Sequence, residues 1–186
     1  MKKRTTMLAL LLATGAGTCL QAQEKLTQFK VRDAITVRTP IMNDSINPKG
    51  EKYADKDLLK TPVVLDLADA PFQVLSTDTA GVLSFPKAEK DHSIYLLETS
   101  LRAERFMTGK LKVTSPARWE IFINGESKMS KENAEDSISG ASTREVNLRL
   151  EPEADYEITI KLLSGSKDKA VPTLKCELIK DDKFKD

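Results

Sequence analysis

One histidine, two cysteines and a set of scattered carboxylates are the groups in this 186-residue chain whose types could do chemistry. His92 stands between Asp91 and Ser93, just before an extended segment. Nucleophilic catalysis needs a base held against its nucleophile, and neighbours on extended chain point to opposite sides. The local trio therefore reads as surface rather than as a triad, and no G-x-S-x-G turn is present. A zinc site wants several Cys or His ligands. Glu132, Glu135 and Asp136 crowd one polar stretch and offer oxygens to a hard cation, but no D-x-D-x-D-G order arranges them. A solvated loop is expected there. Phosphate-cradling glycine patterns are absent. No catalytic residue, metal or cofactor is expected.

The elements that would position such groups are strands. Val146, Leu148 and Leu150 alternate with Asn147 and Arg149; Tyr156, Ile158, Ile160 and Leu162 alternate with Glu157, Thr159 and Lys161. A period of two puts one set of side chains on each face of a strand. Pro152, with no ladder donor, ends the first strand. Leu150, Pro152 and Tyr156 keep the spacing L-x-P-x-x-x-Y. This resembles the strand crossing of fibronectin type III-like sandwiches, and implies that the Tyr156 hydroxyl caps backbone across a corner.

Trp119, Ile121 and Ile123 share one phase, with Glu120, Phe122 and Asn124 on the other. Trp119 is thus expected in the core, and Phe122 outward or beneath the N-terminal arm. Asn124-Gly125 follows, a dipeptide suited to the positive φ angles of a two-residue hairpin turn, with a return strand over residues 126–129. Residues 63–67, 72–75, 82–85, 94–97 and 110–113 read as further short strands, and 171–179 as the last. Short strands at close spacing with Gly and Pro between them predict an all-β, antiparallel β-sandwich, jelly-roll or fibronectin type III/immunoglobulin-like, with an N-terminal arm. Residues 30–38 read as a strand and 55–60 as one or two helical turns, too short to stand alone. The expected organisation is residues 1–22 a signal peptide, 23–60 the arm, 61–180 the sandwich and 181–186 a charged tail.

The leader has a basic start in Lys2, Lys3 and Arg4, an apolar stretch over residues 7–12 and Ala22 at a cleavage position. These three parts in order predict export to the periplasm or beyond the cell. Thr18 before Cys19 makes a lipoprotein the lesser reading. No segment is apolar enough to span a membrane. Removing three of the 29 basic residues leaves 26 against 28 acidic ones, a net −2, which argues against a nucleic-acid partner. Cys176 then remains as the one thiol. It shares the phase of Leu174 and Leu178 and reads as buried and inert.

Residues 109–116, 119–126 and 150–160 together are similar to small β-sandwiches attached to secreted bacterial enzymes, with parts shared by PEGA-like and galactose-binding-like modules. With Asp44-Ser45-Ile46-Asn47 and Asp57-Leu58-Leu59-Lys60-Thr61, the chain also resembles the N-terminal region of secreted prolyl oligopeptidase-type (S9-like) serine peptidases. With catalytic chemistry set aside as above, the chain reads as a non-catalytic accessory or interaction module, whose partner is a protein or an attached catalytic domain; the resemblance implies that this is the N-terminal part of a larger secreted serine peptidase. Asn124, Gly125, Glu132, Glu135 and Asp136, together with the outer sheet faces, are its candidate surface; Trp119, Leu150, Pro152 and Tyr156 are its structural residues. A carbohydrate-binding module is the alternative and a small enzyme of unrecognised type the third reading.

Overall fold

The computed structural model describes residues 23–36, 50, 55–60, 72–89 and 92–181. The expected leader with Cys19, the strand expected over residues 63–67 and most of the charged tail lie outside the described residues. In chain order the elements are β1 (Gln23–Lys25), β2 (Gln28–Thr36), α1 (Asp55–Lys60), β3 (Phe72–Ser76), β4 (Val82–Ser84), β5 (His92–Arg102), β6 (Met107–Thr114), β7 (Arg118–Ile123), β8 (Glu126–Lys131), β9 (Thr143–Leu150), β10 (Asp155–Gly165) and β11 (Thr173–Lys180). They form two antiparallel sheets. One runs β1-β11-β6-β9, with β4 also paired to β11; the other runs β3-β2-β5-β10-β7-β8. The fold is an all-β sandwich.

Alternation builds the core. Trp119, Ile121, Ile158, Ile160 and Leu162 from the six-stranded sheet meet Leu111, Val113, Leu148, Leu174 and Cys176 from the other in one buried cluster. The N-terminal stretch joins it. Leu26, Phe29 and Val31 are buried, because β1 pairs with β11 and β2 pairs with both β5 and β3. Residues 23–36 thus supply a strand to each sheet.

Some strands outrun their apolar runs. β5 extends to Arg102 because its outward residues pair with β10 over its whole length, from His92↔Gly165 to Arg102↔Asp155. Gly109 sits where β6 meets β11 so closely that a β-carbon would lie 2.4 Å from the Ile179 carbonyl oxygen. At the β7–β8 turn, Asn124 (φ 51°) and Gly125 (φ 77°) both take positive φ, as a two-residue hairpin of this sequence requires.

The outer face of the six-stranded sheet is not all solvent. Leu58 and Leu59 of α1 pack there on Ile94, Leu96 and Leu163. Burying two leucines contributes roughly 3–6 kcal/mol, which offsets the ordering of a helix too short to form by itself. Lys161 lies beneath, 4% exposed, and its ammonium donates to the Leu59 carbonyl, one of the acceptors a helix end leaves unpaired. Desolvation pushes the Lys161 ammonium below the usual lysine range.

At the β9–β10 corner, Leu150 is buried and Pro152 bridges Ala103. The Glu151 N–H donates to the Tyr156 hydroxyl at 2.9 Å. Tyr156→Phe removes that acceptor and should lower stability by about 1 kcal/mol, read from the midpoint of a urea melt. An unchanged midpoint would mean that water replaces the hydroxyl at this exposed N–H.

Candidate functional site

His92 belongs to a charged network that holds the first turn of α1. Its Nε2 lies 3.1 Å from Asp55 Oδ1. Arg118 bridges Asp55 at 2.5 Å and Asp168 at 2.9 Å, and Asp168 also accepts from the Gly165 N–H at 2.7 Å. The network fastens one end of the sheet, and among the described residues the side chain that positions the His92 ring is Asp55. Burial pushes the Cys176 thiol far above the range in which a thiolate forms, with the neighbouring Glu177 adding to the effect.

The three loop carboxylates do not converge. Glu132 pairs with Lys60 at 2.7 Å, Asp136 with Lys169 at 2.6 Å, and Glu135 with Lys131 at 2.8 Å. Glu135 also accepts from the Ser142 N–H at 2.9 Å. Among the described residues no group of three or more His, Cys, Asp or Glu could hold a metal ion. Glu135 therefore braces its own loop, and the other two tie that loop to neighbouring segments. Trp119 is fully buried. Phe122 lies half-buried on the outer face, opposite Thr159. Asn124 is fixed to β10: its N–H donates to the Glu157 carbonyl at 2.9 Å and its Oδ1 accepts from the Glu157 N–H at 2.8 Å. Gly125 follows at the exposed turn.

Asn124 also lines an open groove of about 1100 Å³ on the part of the six-stranded sheet that α1 leaves uncovered. The register explains it. β5 and β10 pair as far as Arg102↔Asp155. Their outer neighbours stop earlier, β2 pairing with β5 up to Lys30↔Glu98 and β7 with β10 up to Ile123↔Ile158. The β5–β10 pair overhangs and makes a floor of Glu98, Ser100, Arg102, Asp155 and Glu157. Residues 25–30, where the chain crosses from one sheet to the other, make one wall with Val74, and Asn124 stands on the opposite side. Arg102 is engaged, its guanidinium donating to Glu153 at 2.6 Å and lying 3.5 Å from Asp155. The hydrogen bond to Glu153 and the charge of Asp155 raise its pKa further.

Lys30, Glu98 and Ser100 were not singled out in the sequence. Their signal was the outward phase of β5, where Glu98, Ser100 and Arg102 alternate with the buried Leu97 and Leu101. The partnership of β2 with β5, which brings Lys30 beside Glu98, has no local signature.

No family model matches this chain, and no curated protein matches it. Among solved structures, a β-glucosidase from Kluyveromyces marxianus in complex with glucose matches 83% of this chain with a TM-score of 0.50 and 13% identity. A PA14 sugar-binding domain from an RTX adhesin matches 48% of this chain and 47% of its own, with a TM-score of 0.37 and 17% identity. A family 35 carbohydrate binding module from Clostridium thermocellum matches 55% of this chain and 94% of its own, with a TM-score of 0.35 and 8% identity. This chain spans 16% of the β-glucosidase's length. Among the described residues no helix is long and apolar enough to cross a membrane. What the β-glucosidase likeness shows is the fold: an antiparallel β-sandwich similar to one region of that enzyme.

Proposed function

We propose that this chain is an exported, non-catalytic module that binds carbohydrate in the groove on its six-stranded sheet. The observation that carries the reading is the groove's lining. Gln28, Asn124, Thr27 and Ser100 supply amides and hydroxyls, and the charged residues Lys25, Lys30 and Arg102 are matched by Glu98, Asp155 and Glu157. Such a surface offers donors and acceptors in near equal measure, which suits a ligand dense in hydroxyls. Leu26, Phe29, Val74 and Leu101 share the lining, but in an open groove rather than the closed apolar pocket that a peptide anchor wants. Export rests on the three-part leader. Absence of turnover is supported by the roles of His92, in the network that docks α1, and of Cys176, in the core.

The test is native electrophoresis of the purified exported protein through gels containing soluble polysaccharides, beside assays on glycoside, ester and peptide reporters. At least one neutral polysaccharide should retard the protein, and no reporter should turn over. Turnover abolished by His92→Ala would make the chain an enzyme. Indifference to every polysaccharide, with an S9-type peptidase co-purifying, would establish the peptidase-accessory reading in place of this one.

A further inference from the structure

Lys30 and Glu98 are direct cross-strand partners on the outer face of the sheet, a placement that sets β-carbons roughly 4.5–5.5 Å apart. Opposite charges so placed usually pair. Yet among the described residues neither forms an ion pair, and both line the groove. An ammonium that only donates and a carboxylate that only accepts thus stand side by side, open to a ligand. Neighbouring hydroxyls on a sugar ring answer both: one accepts from Lys30 while the next donates to Glu98, each as a charge-assisted hydrogen bond. A polyanion would gain from Lys30 and meet Glu98, Asp155 and Glu157; a polycation would meet Lys25 and Lys30. An uncharged chain meets no repulsion. The groove's volume, about 1100 Å³, lies just above the usual range of small-ligand sites, roughly 300–1,000 Å³, so a single sugar would leave most of it to water.

Building on the carbohydrate-binding reading above, we infer that the groove takes several consecutive units of an uncharged glycan, and that Lys30 and Glu98 are its specificity-determining pair. Calorimetric titration of the purified protein tests this with malto-, cello-, manno- and laminari-oligosaccharides of one to six units, and with polygalacturonate as the polyanion. In one of the neutral series, affinity should rise at least tenfold between one and four units. Lys30→Met and Glu98→Gln should each weaken that binding at least tenfold, with urea midpoints unchanged, whereas Lys112→Met on the other sheet should leave it intact. Neutral-chain binding indifferent to both groove substitutions would overturn the inference and leave the carbohydrate-binding reading standing. Polygalacturonate binding more tightly than every neutral probe would do the same. Silence toward all probes, the polyanion included, would sink the carbohydrate reading itself and this inference with it.

Discussion

Trp119→Ala should lower the free energy of unfolding by roughly 3–5 kcal/mol, the usual cost of deleting a large buried aromatic. Trp119 is fully buried. It lies on β7 between Leu162 of β10 and Lys131 of β8, so the loss would open a cavity that two hydrogen-bonded neighbours keep from collapsing. Among the described residues its indole Nε1 finds no hydrogen-bond partner. The residue therefore contributes by packing, and Trp119→Phe should cost much less than Trp119→Ala. Domains of this size are stable by about 5–15 kcal/mol, so the alanine variant should melt at a visibly lower urea concentration. A loss under about 1 kcal/mol would place the ring at the surface, where it could stack on a sugar. Packed inward, it leaves recognition to the polar side chains of the groove.

The strand phases were legible because alternation is a local property. Residues 146–150 and 156–162 show their inner and outer sets without reference to any partner, and Asn124-Gly125 marks its own turn. The Tyr156 corner was legible for the same reason, since its acceptor and the Glu151 donor lie five residues apart. What the sequence hides is the fate of the outward set. Lys161 reads as solvated and is buried, because α1, 102 residues earlier, lies over it. The crowded carboxylates read as one solvated loop. Each is claimed by a cation from a different element, in α1, β8 and the loop before β11. The groove depends on which strands outrun their neighbours. That is a matter of pairing between β2 and β5 across two intervening strands and a helix, and periodicity says nothing about it.

Lys131 is a lysine buried at the end of a strand, and it carries the second large prediction. It closes β8 in the inward phase, 3% exposed. Its ammonium donates to the Ser115 carbonyl at 2.6 Å, the Ala117 carbonyl at 3.3 Å and Glu135 Oε2 at 2.8 Å. Burial pulls the Lys131 pKa down, and the hydrogen bond and charge of Glu135 only partly restore it. For Glu135, burial works upward, but the hydrogen bonds from Lys131 and Ser142 together prevail and hold the carboxyl below its ordinary range. Glu135→Gln leaves the ammonium without a counter-charge. Breaking a fully buried pair costs about 3–5 kcal/mol; with Glu135 25% exposed, solvent screening brings the expected loss to about 2 kcal/mol. Lys131→Met keeps an apolar stem and removes the charge, so the double variant should be more stable than Glu135→Gln alone.

The pH dependence follows from the two directions. The Glu135 contribution is complete above the unfolded carboxyl value of 4.5 and is lost as pH falls through its lower folded value. In Glu135→Gln, the buried Lys131 loses its proton in the folded state before it would in the unfolded one, so stability rises with pH across that interval. The deficit against the parent protein should therefore be largest near neutrality and shrink on the alkaline side. Urea melts of the four proteins at pH 7 and at pH 10 measure both effects. A double variant less stable than Glu135→Gln would show that Lys131 stabilises the bend at residues 115–117 even without its carboxylate.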